Sequence, residues 1–223
     1  MTELPILYTF RRCPYAMRAR MGLAYAGINF QIREVVLKNK PQEMLDVSPR
    51  GTVPVLLRSG LPVLEESLDI LEWSISKNDP DGWKDYPAET LSLMEMLVDE
   101  NDNVFKEKLD RYKYADRYPD YSREDYRREG ESFLQKLEVL LLDSTFLFGN
   151  RISYADVAIF PFIRQFANVE RLWFVSAPYP CLRKWLASFL ESELYVSVMN
   201  KYTPWGVNDP ILKFKRVSRH GNG

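Results

Sequence analysis

Apolar positions along the chain follow two regimes, and the first third shows short apolar runs separated by turn residues. Leu4 to Thr9 is suited to a buried strand, and Phe30 to Leu37 opens with Phe30 and Ile32 alternating with Gln31 and Arg33 before turning continuously apolar. Between them Pro14 fits the first position of a helix, where its missing N–H is not needed. Met17, Met21 and Ala24 then share one helical face, and Gly27 supplies the stop. Two strands this close around one helix predict a parallel unit. After the polar stretch KNKPQEMLDVSPRG, Val53 to Leu57 and Leu61 to Leu64 bracket Arg58-Ser59-Gly60 as an antiparallel hairpin, and Ser67 to Ser76 reads as a helix.

The second regime begins beyond Asn78 to Pro87, NDPDGWKDYP, where breakers and polar residues concentrate. From Ala88 to about Met199, alternation of period two is scarce. Leu91, Met94, Leu97 and Val98, then Phe133, Leu134, Leu137, Leu140 and Leu141, recur at helical spacing instead. Ser153-Tyr154-Ala155-Asp156 has the spacing of a capping box at the head of an apolar run. The pattern therefore predicts an α/β domain over 1–77, a linker at 78–87, an all-helical domain over 88–200 and a short basic tail at 201–223 that lies against the body or dangles.

Composition narrows the chemistry. Lys and Arg total 30 against 31 Asp and Glu in 223 residues, so no global field favours nucleic acid or an anionic membrane. The tract DRYKYADRYPDYSREDYRRE interleaves tyrosine with arginine, but its acids balance its bases and it reads as a solvated helical hairpin. The start MTELPILYTF lacks the features of a secretory leader, and the most apolar stretch, FLFGNRISYADVAIFPFIRQF, is broken by Arg151, Asp156 and Arg164; a cytoplasmic protein without a membrane span is expected. Two distant cysteines make no disulfide framework, and the single histidine, His220, sits in the terminal RHGNG. Neither a histidine-based triad nor a metal site is expected.

The candidate site residues each have two readings. Cys13, in FRRCPYA, stands at a helix start beside Arg11 and Arg12, a setting that lowers a thiol pKa from about 8.5 to roughly 3.5–7.5; equally, a free cysteine is often an inert packing residue. Cys181, among apolar neighbours in PYPCLRKW, reads as packing. Pro54 opens a strand and leaves the Val53 backbone available to an extended ligand, or is an ordinary edge proline. Glu66 and Ser67 either cap the next helix or grip the ammonium and carboxylate of a ligand, and Lys40 by default is a solvated surface lysine.

In their order and spacing, Cys-Pro at the first helix, Val-Pro at the hairpin, Glu-Ser at the third helix and a Ser-x-x-Asp box in a helical domain resemble the cytosolic glutathione S-transferases, in particular their cysteine-containing, omega-like branch. The resemblance implies an N-terminal thioredoxin-like βαβαββα domain followed by a glutathione-transferase-type helical domain. It further implies a cis bond before Pro54, a homodimer, and a pocket for the second substrate between the domains. Carried over, Cys13 is the active-site cysteine and the Val53 backbone pairs with the cysteinyl part of glutathione. Glu66 and Ser67 hold the γ-glutamyl end, and Lys40 meets the glycine carboxylate. CPYA also resembles the glutaredoxin CPYC, with Ala16 in place of the second cysteine, so the implied cycle uses one protein thiol and a second glutathione.

Tyr8 and Thr9 are nearby hydroxyls poorly placed for the alternative of conjugating electrophiles, and Tyr112, Tyr114, Tyr118 and Trp173 are candidates for the second-substrate pocket. Two other readings compete: a binding or regulatory module of the same fold without catalysis, and a membrane-inserting relative, which polar interruptions in the helices disfavour.

Overall fold

The computed structural model describes residues 3–214, which form two compact units, 3–80 with 192–214, and 81–191. His220 and the rest of 215–223 lie outside the described residues.

The first unit carries β1 (Ile6–Thr9), α1 (Pro14–Tyr25), β2 (Phe30–Glu34), α2 (Gln42–Val47), β3 (Val55–Arg58), β4 (Leu61–Leu64) and α3 (Ser67–Lys77). Their succession is the expected βαβαββα fold. The sheet has the order β4-β3-β1-β2-β5, where β5 is Lys213–Phe214 from the far end of the described chain. β1 and β2 run parallel, pairing Leu7 with Ile32, while β3 is antiparallel to β1 and β4 to β3. One face buries Tyr8, Val35, Met44 and Val55, with Val53 and Trp205 packed against them.

α1 differs from the one-sided helix that Met17, Met21 and Ala24 suggest: eleven of its twelve residues are buried, Arg18 and Arg20 among them. Gly22 permits part of this, because a Cβ there would stand 2.8 Å from Leu71 Cδ1 of α3. β2 ends at Glu34, three residues short of the predicted run; Val36 and Leu37 are exposed, and Val36 bridges Asn39 across a turn.

The residues after 191 complete this unit. α10 (Glu193–Val198) lies against α1. Trp205 N donates to Glu34 O at 2.8 Å, Arg33 lies 4.1 Å over the Trp205 ring, and Phe214 stacks on Phe30 with centroids 4.8 Å apart.

The second unit is helical: α4 (Ala88–Glu100), a π-helical turn at Asn101–Phe105, α5 (Lys106–Lys113), a 3-10 turn at Ala115–Arg117, α6 (Arg123–Leu140), α7 (Tyr154–Ala167), α8 (Arg171–Ser176) and α9 (Pro180–Glu191). Its entry segment is folded onto it, with Trp83 1% exposed and its carbonyl accepting from Tyr154 N at 2.9 Å. The Ser153–Asp156 box heads α7. Asp156, fully buried, accepts from Leu147 N, Trp185 Nε1, Ser153 N and Ser153 Oγ, which satisfies a carboxylate whose pKa is pushed up by burial and held back by these donors. Among the described residues no helix is long and apolar enough to cross a membrane.

Candidate active site

The sulfur of Cys13 is delivered by a tight turn. Cys13 N donates to Phe10 O at 3.0 Å, and the residue is the extended N-cap of α1, whose first position is Pro14 and which no side chain caps. The helix dipole therefore points its positive end toward this residue. The Cys13 Sγ lies 3.7 Å from the Val53 carbonyl oxygen, and the Val53–Pro54 peptide bond is cis. Residues 40 apart in the chain thus meet because β3 enters the sheet beside β1.

The other expected residues come from different elements: Lys40 from the loop before α2, and Glu66 and Ser67 from the N-cap and first position of α3. Lys40, half-buried, passes over Gly51, where a Cβ would stand 3.4 Å from its Nζ; Gly51 also holds a φ of 62°, which a side chain would strain. Ser67 is the first residue of α3 and buried, and its Oγ accepts from Arg18 Nη1 at 3.1 Å. With that lone pair taken by the guanidinium, the hydroxyl proton is available to an incoming acceptor. Glu66 is exposed and ion-paired with Arg50 at 2.5 Å, a solvated pair that an ammonium group could replace at small cost. Beside it Glu65 accepts from Ser48 Oγ at 2.5 Å.

Three groups beneath this surface carry no signal in the residue pattern. Arg18 and Arg20 are 0% and 1% exposed, although arginine in an unplaced helix reads as surface. Glu34 accepts from Arg11 N at 2.7 Å and, like Arg20, lies behind the turn that holds Cys13. The only hint in the sequence is position: Arg20 stands two helical turns from Cys13.

The hydroxyls of the conjugating alternative are both engaged. Tyr8 is 1% exposed and accepts from Arg33 at 2.5 Å, and Thr9 Oγ1 accepts from Arg20 Nη1 at 2.5 Å. Of the residues suggested for the second-substrate pocket, Tyr112 belongs to the core instead. It is 0% exposed, lies 4.7 Å from the Phe166 ring and donates to Glu170 Oε2 at 2.9 Å. Burial and that carboxylate push its phenol well up. Trp173 is half-buried under Arg127, and Tyr114 and Tyr118 retain exposed surface. No cluster of three or more metal-binding side chains occurs among the described residues.

A mixed sheet with a Cys-Pro helix start facing a cis-proline strand, joined to a helical unit with a buried Ser-x-x-Asp box, defines a two-unit protein of thioredoxin-like type. Comparison with known proteins gives the family. Residues 7–82 match the model of the glutathione S-transferase N-terminal domain and 120–188 that of the C-terminal domain. A probable glutathione S-transferase GSTU1 of Oryza sativa subsp. indica is 30% identical over 183 residues, 74% of this chain and 75% of that protein. Glutathione S-transferase omega-1 of Sus scrofa is 28% identical over 83% of this chain and 76% of its own. A glutathione transferase family member from Pseudomonas fluorescens, solved with two glutathione molecules bound, superposes with a TM-score of 0.76 over 88% of this chain and 92% of its own at 20% identity. The chain belongs to the glutathione S-transferase family.

Proposed function

We propose that the protein is a glutathione-dependent thiol transferase whose nucleophile is Cys13. The observation that carries this reading is the sulfur at an uncapped helix start, 3.7 Å from the carbonyl that precedes a cis proline. An extended peptide laid antiparallel to this backbone would pair with Val53 and bring its own cysteinyl sulfur to Cys13. Ser67 and Glu66 would take the α-carboxylate and ammonium of its γ-glutamyl end, and Lys40 its glycine carboxylate.

The Cys13 thiolate attacks the glutathionyl sulfur of a mixed disulfide R–S–SG. The S–S bond breaks, R–S⁻ leaves and takes a proton from solvent, and Cys13–S–SG remains. A second glutathione, as thiolate, attacks that disulfide, forms oxidised glutathione and returns Cys13 as the thiolate. Ala16 stands where a second thiol would be needed for an internal disulfide, so the cycle closes only through free glutathione. No metal enters. Burial of Tyr8 and Thr9, 1% and 0% exposed, keeps both hydroxyls from an incoming thiol and makes glutathione conjugation the lesser activity.

Exposure to oxidised glutathione followed by intact-mass measurement tests the reading. A single glutathione adduct should form on the native protein and be absent from Cys13→Ser. An adduct that persists in the variant would move the chemistry to Cys181, and a native protein that neither binds nor turns over glutathione would favour a binding module of this fold. The reading carries with it a cytoplasmic homodimer, checked by light scattering of the full chain.

A further inference from the structure

Arg20 is a cation of the first unit only 1% exposed, and none of the glutathione-binding roles above uses it. Its Nη1 donates to Thr9 Oγ1 at 2.5 Å and to Phe10 O at 3.4 Å, and its Nη2 donates to Arg11 O at 2.8 Å. On the opposite side its Nε donates to Val198 O at 3.0 Å, and Met199 Sδ lies 3.8 Å from Nη2. One guanidinium therefore ties the turn before Cys13 to the end of α10.

The turn is held from a second direction by Glu34, whose Oε1 accepts from Arg11 N, while the Glu34 carbonyl accepts from Trp205 N. Four elements thus meet behind the sulfur: α1 with Arg20, β2 with Glu34, the turn with Arg11, and the tail with Tyr202. Burial pushes the Arg20 guanidinium down to about 10, which still leaves it charged at neutral pH, and the titratable groups facing it are Glu34, Cys13, Tyr202 and Arg11. Burial pushes the Glu34 carboxyl up, against the Arg11 amide and the two arginines. Burial also pushes the Tyr202 phenol up, so it is neutral near pH 7.

We infer that Arg20 is a positioning residue for Cys13: from beneath the turn it fixes the sulfur beside Val53 and favours its anion, while Glu34, the counter-charge of the same cluster, opposes that anion. The inference rests on the reading of Cys13 as the nucleophile and adds the group that sets its reactivity. A structural clamp alone would make every disruptive substitution act alike; opposed charges make the two residues act in opposite senses.

The test is the pH profile of Cys13 alkylation by iodoacetamide, resolved from Cys181 by peptide mass spectrometry, in the native protein, Arg20→Gln, Arg20→Lys and Glu34→Gln. Arg20→Gln should raise the midpoint by ~1 pH unit, with rates below the midpoint falling about tenfold. Arg20→Lys should bring it back toward the native value, and Glu34→Gln should lower it, with Cys181 unmoved throughout. A folded Arg20→Gln protein with the native midpoint overturns the inference. Should Arg20→Gln fail to fold, Glu34→Gln decides: a lowered midpoint supports the inference and an unmoved one overturns it. Thiol transfer from a glutathionylated peptide, measured on the unsubstituted protein, separates the two readings. Opposed shifts in a protein without transfer keep the role of Arg20 and remove the reaction, whereas transfer with unmoved midpoints does the reverse.

Discussion

The two cysteines both sit at the start of a helix, and their surroundings differ in sign. Cys13 is the N-cap of α1, where no side chain caps the helix and a buried guanidinium lies behind the turn. Cys181 is the second residue of α9, and the Glu138 carboxylate closes that start, accepting from Cys181 N at 3.0 Å and Leu182 N at 2.7 Å. Loss of hydration and then the Glu138 charge push the Cys181 thiol up. A helix start favours an anion only while no carboxylate already occupies it. The same dipole is left open beside Cys13 and closed by a carboxylate beside Cys181. α7 repeats the closed arrangement in buried form, with Asp156 taking the place that Glu138 takes for α9.

The comparison breaks most severely at Cys13 itself. Cys13→Ser should lower thiol transfer by on the order of a thousandfold or more with the melting temperature unchanged, whereas Cys181→Ser should leave turnover intact. Equal losses in the two variants would end the distinction. Next in size, Asp156→Ala strands the Leu147 amide and the Trp185 indole inside the second unit and should cost ~3 kcal/mol in denaturant unfolding. Ser153→Ala removes only the hydroxyl of the same box and should cost about 1 kcal/mol in the same titration. Smallest is Glu138→Gln. Removing the charge lowers the Cys181 thiol toward its ordinary value, so alkylation of Cys181 at pH 8 should quicken about threefold, with the rate at Cys13 unmoved. A Cys181 indifferent to Glu138 would show that hydration alone holds its thiol.

Features encoded within a few residues were legible beforehand. Cys13-Pro14 and Ser153-x-x-Asp156 declare helix starts through residue types whose local chemistry fits little else, and the hairpin around Arg58-Ser59-Gly60 follows from its turn. The order of these motifs, matched to a family, then carried the βαβαββα arrangement, including α2, whose six residues bury only Met44 fully and leave too short a period to read. What escaped was long-range. Arg18 and Arg20 are buried because Ser67, Thr9 and the Val198 carbonyl receive them, and none of those partners is near in sequence except Thr9. Tyr112 sits in an Arg- and Lys-rich tract that reads as solvated, yet Phe166 and Glu170 draw it inward. Nothing in the apolar spacing of α10 announces that it packs on α1, and a two-residue strand such as β5 has no period at all.

The first unit is discontinuous in the chain, with 81–191 inserted between its two parts. During synthesis all of the intervening helices therefore leave the ribosome before Val198 can reach Arg20 or Phe214 can cover the open edge of β2. A nascent chain halted anywhere in the helical unit presents the thiol on a turn gripped from one side only. The clamp on the turn that carries Cys13 is thus completed only after the whole helical unit has been made.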